Sequence, residues 1–176
     1  DPLRDVEVIN LELVLADLAQ IEKRLEKVKK DRKADPAEAV VLEKLQKVLE
    51  AGEKASSIEL SDDELVLVKG LMLLTLKPVI YAANVNDGDL AEGNTMSKKV
   101  FDLASSEGNK AVLVSAQVES ELCGLEPEDK AEFLETLGVT EETCGLRLLI
   151  NTAYERLGLQ TYFTSGPTET RAWTIK

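Results

Sequence analysis

An apolar run that ends in an amide and an acid is the part of this sequence best suited to bind a ligand. In "KPVIYAANVNDGD", residues 77–89, the run ends at Asn84, and Asp87 follows three residues later. Amide and carboxylate groups hydrogen-bond the edges of heterocyclic bases, because they supply donors and acceptors in one plane. A second apolar run, "KAVLV", is followed by Ser115 and Ala116. The two polar ends are therefore candidates for one ligand pocket.

The spacing of these residues matches a pattern for purine recognition. In P-loop nucleotide hydrolases, a strand that ends in Asn-x-x-Asp recognises the base: the Asn holds neighbouring loops, and the acid accepts two hydrogen bonds from guanine. The next strand places a backbone N–H against the base, and here that strand ends in Ser115-Ala116. Asn and Asp are also common turn formers at strand ends, so Asn-x-x-Asp alone is a weak signal. Its pairing with Ser-Ala strengthens the prediction of a purine site.

A sheet is needed to bring these residues together. "PVIYAAN" and "KAVLVSAQ" predict strands that are buried on both faces, and "TMSKKVFDLASSEG" predicts a helix between them with Val100 and Leu103 inward. Two strands joined by a crossover helix predict a parallel unit, with ligand residues beyond the carboxyl ends of the strands. Two further helices follow, "EPEDKAEFLETLG" and "GLRLLINTAYERLG", and then two strands around a Gly166-Pro167 turn.

The first half of the chain predicts a helical hairpin. Apolar residues spaced three and four apart form one narrow seam on each of two helices. They are Leu11, Val14, Leu18, Ile21, Leu25 and Val28 in the first helix, and Val41, Leu45 and Val48 in the second. Asp35-Pro36 predicts the start of the second helix, and Ala51-Gly52 predicts its end. The sequence leaves open whether this hairpin is a structural arm or binds a partner.

A third helix is predicted from Asp62 to about Thr75. Ser61 and Glu64 have the spacing of a capping box at its start. Because the run is apolar on most sides, we expect it to be buried against a sheet.

The predicted sheets are incomplete. Two parallel strands do not form a stable sheet, and a two-stranded hairpin at the end of the chain is marginal alone. The parallel strands are also too apolar to lie at an open edge. We therefore expect the chain to be an excerpt of a longer protein that supplies the other strands.

Composition excludes several classes of function. The net charge of −12 argues against broad binding to nucleic-acid phosphates, DNA included, and against an anionic membrane surface. No apolar stretch reaches the roughly 20 residues that a membrane span needs. The chain has no histidine, so it cannot build a Ser-His or Cys-His pair or a His-ligated metal site. Cys123 and Cys144 predict free, partly buried thiols in a reducing compartment: the cytoplasm, or an organelle stroma or matrix.

Four stretches together resemble the YchF or Obg-like ATPase family of P-loop proteins over nearly the whole chain. They are "DPLRDVEVINLELVLADL", "KPVIYAANVN", "VSAQVESEL" and "LGLQTYFTSGPTETRAWTIK". In that family a coiled-coil arm interrupts the nucleotide-binding α/β domain, which resumes and is followed by a β-grasp TGS domain. The resemblance implies the arm in residues 1–72, the returning nucleotide domain in 73–158 and the first TGS hairpin in 159–176. The implied fold class is α/β, with an inserted helical hairpin.

The resemblance also implies which residues hold the nucleotide. The family's motif is Asn-x-x-Glu, a change from Asn-Lys-x-Asp that is associated with preferring ATP to GTP. Here Asn84 matches, Val85 replaces Lys, and Asp87 is one methylene shorter than Glu, so a GTP-preferring member is the alternative. The implied nucleotide-binding residues are Asn84, the backbone of Val85, Asp87, Ser115, Ala116 and, as a weaker candidate, Gln117.

Catalysis and partners depend on more than this chain. No G-x-x-x-x-G-K-[ST] occurs, so we expect the phosphate cradle and the Mg²⁺ ligands outside it, and no hydrolysis by this chain alone. Family members associate with ribosomes, which implies a nucleotide-dependent switch or, alternatively, a coiled-coil and TGS interaction module without activity of its own. Basic residues near the end of the first helix form a candidate partner surface, with a solvated, salt-bridged face as the alternative. They are Lys23, Arg24, Lys27, Lys29, Lys30, Arg32 and Lys33, and the last four are the partner-binding candidates.

Overall fold

The computed structural model describes residues 1–31, 33–140, 142–143 and 145–176. The chain divides into two compact units, residues 3–77 and 78–176. Within the described ranges, no helix has both the length and the apolar character needed to cross a bilayer.

The first unit contains the predicted helical hairpin. Its helices are α1 (Pro2–Lys30), α2 (Pro36–Glu50) and the short α3 (Asp62–Val68), with 3₁₀ turns at Ala55–Ser57, Lys69–Leu71 and Leu74–Leu76. The predicted start of α2 is confirmed, since the Asp35 side chain accepts a hydrogen bond from the Ala37 N–H at 2.8 Å. This bond satisfies one of the donors that a helix start leaves open.

The apolar seam between α1 and α2 differs in part from the predicted one. The buried residues of the two helices are Val14, Asp17, Ile21, Leu25 and Val28 in α1, and Glu38, Val41, Leu42, Leu45 and Leu49 in α2. Leu11 is 51% exposed, because it lies in α1 before the stretch that packs on α2. Leu18 and Val48 are only partly buried, and their neighbours Asp17 and Leu49 occupy the fully buried positions.

Asp17 connects α1 to the end of the first unit. Its Oδ1 accepts a hydrogen bond from the Leu74 N–H at 2.8 Å. Its Oδ2 accepts from the Thr75 N–H at 2.8 Å and from Thr75 Oγ1 at 2.7 Å. Thr75 Oγ1 in turn accepts from the Ala55 N–H at 3.0 Å. Because the carboxylate is only 1% exposed, these bonds replace the water that it loses on folding.

The third helix begins as predicted but ends early. Glu64 N–H donates to Ser61 Oγ, and Ser61 N–H donates to Glu64 Oε2, so the capping box is confirmed. The prediction that the helix continues to about Thr75 is wrong: α3 ends at Val68, a 3₁₀ turn follows at Lys69–Leu71, and Met72 has left-handed backbone angles that an α-helix does not contain. Burial against a sheet is also wrong: α3 packs on α2, and Val66 is 70% exposed.

The second unit contains the predicted parallel pair of strands. Its elements are β1 (Ile80–Asn84), α4 (Thr95–Ser106), β2 (Lys110–Val114), α5 (Ala116–Leu122), α6 (Pro127–Thr136), α7 (Gly145–Leu157), β3 (Gln160–Ser165) and β4 (Thr170–Ile175). β1 and β2 pair in parallel, and α4 and α7 pack on both strands. The mixed fold class, a helical hairpin with a small parallel sheet and an antiparallel pair, is therefore confirmed.

Burial of both strands on both faces is not confirmed. No residue of β1 is fully buried, and Val112 is the buried residue of β2. The reason is that the described ranges place only two strands in this sheet, so both strands lie at an edge.

The last two strands form the predicted hairpin. β3 and β4 pair antiparallel, with Tyr162 opposite Trp173 and Phe163 opposite Ala172. All residues of both strands are exposed, and backbone hydrogen bonds and cross-strand contacts join the two strands.

One glycine has a required conformation at the start of α7. Gly145 has φ +72, and a Cβ added there would lie 2.1 Å from Glu119 Oε1. That oxygen accepts a hydrogen bond from the Leu146 N–H at 2.7 Å, so the α5 carboxylate satisfies the amino-terminal end of α7. A side chain at position 145 would displace it.

Candidate functional site

The two polar segments meet at one edge of the parallel sheet. Asn84 ends β1 and lies opposite Val114, which ends β2. The ladder extends one residue further, because the Val85 N–H donates to the Val114 carbonyl at 2.9 Å. Both segments therefore leave the sheet at its carboxyl edge, where open α/β sheets bind ligands.

A side-chain hydrogen bond joins the two strand ends. Asn84 Oδ1 accepts from the Ala116 N–H at 3.0 Å. Both residues are exposed, so a ligand has access to them. Hydrogen bonds within the described ranges use the Asn84 side chain through Oδ1, which leaves its Nδ2 donors directed to ligand or solvent.

Ser115 and Gln117 have structural contacts in this corner. Ser115 is 1% exposed and is the N-cap of α5, where its Oγ accepts from the Val118 N–H at 3.4 Å. Gln117 Nε2 donates to Glu121 Oε1 at 3.1 Å along the surface of α5. Ser115 thus positions the N–H of its neighbour, and the Gln117 side chain is held away along its own helix.

The loop after β1 is fixed by its own acids and amides. Asp87 begins a 3₁₀ turn over Asp87–Asp89, and its Oδ1 accepts from the Gly88 N–H at 2.8 Å. Asp89 Oδ2 accepts from Asn94 Nδ2 at 2.8 Å, which ties the loop to the N-cap of α4. Asp87 itself is exposed.

Val85 contributes its backbone to this edge and its side chain to the core. The side chain belongs to the apolar cluster of the second unit, with Leu90, Val118, Leu134 and Val139. Because this side chain packs in the apolar cluster, it fixes the position at which the loop after β1 leaves the sheet. Its peptide group is therefore the part of Val85 placed at the strand end.

Some residues of this corner were not predicted. Helix α5, which starts at Ala116, was interpreted only as the end of a strand, and the link from Asp89 to Asn94 was missed. The sequence did contain a signal that Asn94 is the N-cap of α4, since Asn94 and Ser97 have the spacing of a capping box. α5 is a seven-residue helix, too short for a clear apolar period.

The basic residues of α1 are partly neutralised. Lys29 Nζ lies 2.8 Å from Glu43 Oε1, Lys30 pairs with Glu26, and Arg24 Nε lies 2.6 Å from Glu38 Oε1. Hydrogen bonding to these lysines lowers the pKa of Glu43 and of Glu26, and the bond to Glu38 raises the pKa of Arg24.

The other members of the cluster differ in their contacts. Lys33 is exposed, and its backbone N–H donates to Asp31 Oδ1 at 2.9 Å. Among the described residues, Lys23 and Lys27 have no ion-pair partner. Arg32 lies outside the described residues.

Metal and thiol chemistry have little support in this part of the protein. Within the described ranges, no group of three or more His, Cys, Asp or Glu side chains could hold a metal ion. Cys123 is a free thiol and is exposed, so the prediction that it is partly buried is wrong: it is the C-cap residue of α5, at a helix end on the surface. Cys144 lies outside the described residues.

Comparisons with known proteins give one consistent result. No family model matches the chain. The ribosome-binding ATPase YchF of Bacillus subtilis is 44% identical over 182 residues, which cover 100% of this chain and 49% of that protein. The protein of the same name from Escherichia coli O157:H7 is 42% identical over 179 residues, which cover 99% of this chain and 48% of that protein.

The fold leads to the same group of proteins. The YchF GTPase of Schizosaccharomyces pombe has a TM-score of 0.84 and 31% identity, over 100% of this chain and 49% of that one. This chain thus spans about half the length of the relatives that it matches. The resemblance predicted from the sequence is therefore confirmed: throughout its length this chain is similar in sequence to proteins named YchF and in fold to a YchF structure.

Proposed function

We propose that this chain is the base-recognition half and the helical arm of a nucleotide-hydrolysing P-loop protein that associates with ribosomes. The observation that carries the proposal is the hydrogen bond from the Ala116 N–H to Asn84 Oδ1, which fixes the two strand ends at the ligand edge of the sheet. Relatives named as ribosome-binding ATPases support it. Bound nucleotide would act as the switch that sets the affinity for the ribosome, and the cytoplasm is the compartment this implies.

The domain assignment is part of the proposal. Residues 1–72 contain the arm, 73–158 the returning part of the nucleotide domain, and 159–176 the first hairpin of a TGS domain. The P-loop and the Mg²⁺ ligands would come from the half of the relatives that this chain does not match. Mg²⁺ would bridge phosphate oxygens there, and the residues described here hold the base.

Each predicted site residue has a distinct part in this proposal. Asn84 donates through Nδ2 to a ring nitrogen of the purine, and the Val85 backbone lies beside the ring. Ser115 positions the Ala116 N–H, and Asp87 offers a carboxylate to the base edge. Gln117 is the weaker contact, since its side chain is held by Glu121. ATP is the preferred nucleotide, and a GTP-preferring protein is the alternative.

The proposal is tested by nucleotide competition in the full-length protein. ATP and GTP would be titrated against a labelled nucleotide in the native protein and in Asn84→Ala. We expect Asn84→Ala to weaken binding by about 1–3 kcal/mol, as for removing a partner from a buried polar contact. Asn86→Ala is the matched control, because it removes the same group two residues away in the same loop. Equal affinities in native protein and Asn84→Ala would show that the base lies elsewhere.

Hydrolysis supplies a second test. Phosphoryl transfer depends mainly on positioning and on charge at the phosphates, and the chain contains no G-x-x-x-x-G-K-[ST]. A polypeptide of residues 1–176 should therefore not turn over ATP above background, even where circular dichroism shows that its helices have formed. Sustained turnover by that polypeptide would contradict the proposal.

A second candidate function is an interaction module that works through its arm. It is favoured by the basic residues that follow one another toward the end of α1, among which Lys23 and Lys27 have no ion-pair partner within the described ranges. Such cations attract a polyanionic surface such as ribosomal RNA. The two functions are compatible, with the nucleotide as the switch and the arm as the part that contacts the ribosome.

A further inference from the structure

A cavity of about 280 Å³ lies among α5, α6 and α7 in the second unit. Its floor is apolar, because Leu90, Val118 and Leu134 line it and are only 2%, 2% and 4% exposed. Leu146 and Ile150 also line it and are about half exposed, so the cavity opens to solvent along α7. Its volume lies near the lower end of the range for small-molecule sites, which are likewise mostly apolar.

The charged side chains of this region are not spread evenly. Residues 116–150 contain nine acidic side chains and two basic ones, Lys130 and Arg147. Both basic residues line the cavity, whereas Glu119 is the one acid among the described residues that line it. A strongly acidic stretch thus presents both of its cations at one apolar cavity. This arrangement favours an anionic ligand there.

The contacts of Glu119 and Lys130 point the same way. Glu119 Oε1 accepts a hydrogen bond from the Leu146 N–H at 2.7 Å, so this carboxylate is held at the start of α7. Lys130 is partly buried, and among the residues that the structure describes it has no ion-pair partner. A cation that has lost part of its water and has no counter-ion is stabilised by an anion that enters the cavity.

We propose that this cavity binds a small alkyl carboxylate. The alkyl chain lies on the apolar floor, and the carboxylate accepts hydrogen bonds from Lys130 and Arg147. Burial of the chain supplies most of the affinity, and the two cations supply the preference for an anion over a neutral molecule of the same shape. The inference is independent of the proposed function, since none of the residues assigned to the base lines the cavity.

Three ligands of equal chain length separate apolar from electrostatic recognition. Octanoate, octanamide and octylammonium would be titrated into the full-length protein by isothermal calorimetry, without nucleotide. Octanamide has nearly the shape of octanoate but no charge, and octylammonium has the opposite charge. We expect octanoate to bind more tightly than octanamide by about threefold or more, and octylammonium to bind most weakly. Hexanoate should bind more weakly than octanoate, by about fourfold for each methylene removed.

Substitutions at the cavity assign the binding to it. Lys130→Gln should weaken octanoate about three- to tenfold, the effect of one charged hydrogen bond at a partly exposed site, and change octanamide by less than about twofold. Lys98→Gln is the matched control, because it removes an exposed lysine of α4 that does not line the cavity. Ile150→Gln should weaken octanoate and octanamide alike, because it removes apolar surface and keeps both cations. Arg147→Gln repeats the test of charge if Lys130→Gln does not fold.

Three results would overturn the inference. If the native protein does not bind octanoate at millimolar concentrations, the cavity is not a ligand site. If octanoate and octanamide bind equally, the cations do not recognise the ligand. If Lys130→Gln weakens octanoate no more than Lys98→Gln does, the carboxylate lies elsewhere on the protein.

Discussion

Asp17 is a carboxylate inside the apolar seam of α1, at a position where the helical period alone would place a leucine. The sequence predicted Leu18 for the seam, because a pattern of apolar residues has no way to register a buried acid whose partners are distant. Leu74 and Thr75, which satisfy Asp17, lie 57 and 58 residues further along the chain. Only the folded structure brings them together.

Removing this carboxylate should destabilise the first unit. Asp17→Ala leaves the buried N–H and hydroxyl of Thr75 and the partly buried N–H of Leu74 without their acceptor, so we expect the free energy of unfolding to fall by about 2–4 kcal/mol. Urea denaturation would measure the change. Glu22→Ala is the control, because it removes an exposed acid from the same helix and should cost less than about 0.5 kcal/mol. Similar losses in the two variants would mean that Asp17 has no special role.

The sequence was enough to name the residues of the candidate site, but not to find the hydrogen bond that joins the two strand ends. An apolar run followed by polar residues marks a strand end, and that is enough to single out Asn84, Asp87 and Ser115. The bond between Asn84 and Ala116 spans 32 positions and depends on the parallel register. A shift of that register by one residue would remove it.

At the scale of elements, the junction between α5 and α7 depends on Gly145. Gly145→Ala should be clearly destabilising, because it strains a backbone with φ +72 and displaces the Glu119 carboxylate from the Leu146 N–H. We expect a loss of about 2–4 kcal/mol in the free energy of unfolding, combining left-handed strain with a lost charged hydrogen bond.

Gly158→Ala provides a matched comparison for that prediction. Gly158 also has positive φ, +65, but an added Cβ there has no atom within 4 Å. It should cost only the strain, about 1–2 kcal/mol. The two variants would be compared by thermal unfolding under the same conditions. Equal losses of stability would show that the contact with Glu119 contributes nothing.

The start of α3 should respond to acid. The Ser61 N–H donates to Glu64, and this bond is the main reason that the pKa of Glu64 lies below its ordinary value of 4.5. A depressed pKa means that the stabilisation is complete above the unfolded value and is lost as pH falls through the folded one. The protection of the amides in the first turn of α3 against exchange, relative to an unfolded chain at the same pH, should therefore fall as the solution is acidified below the ordinary value of 4.5.

Glu64→Gln serves as the control for that pH dependence. Its amide oxygen still accepts from the Ser61 N–H but does not titrate, so exchange in this turn should lose the additional acid step. An identical acid profile in native protein and Glu64→Gln would assign the step to another group.

Elements were predicted well where the apolar period is long and poorly where it is short. The seams of α1 and α2 and the two strand pairs are clear in the sequence. The end of α3 was wrong, because the chain passes through a 3₁₀ turn and the left-handed residue Met72 before the apolar run ends. α5 was missed, because seven residues are too few to establish a period.

At the scale of the whole molecule, the proposed association with ribosomes should be sensitive to salt if the basic end of α1 makes the contact. Reversing Lys29 and Lys30 to Glu removes two positive charges and adds two negative ones, so co-sedimentation with ribosomes should fall several-fold at low salt. Their present ion pairs are exposed to solvent and contribute little to stability, so the variant should fold. Lys98→Glu together with Lys176→Glu makes the same change in net charge elsewhere on the surface. If both double variants bind as the native protein does, the arm makes no electrostatic contact with the ribosome.

The length of α1 has a mechanical consequence. Its 29 residues run from Pro2 to Lys30 with no glycine and no internal proline, so the helix forms a rod about 43 Å long. A tilt of about 10° at one end of such a rod displaces the other by roughly 7 Å, more than one helical turn. A tilt of about 10° centred on Asp17, near the middle of the rod, would displace Lys30, about 20 Å further along the axis, by roughly 3 Å, which is enough to break a hydrogen bond with another molecule.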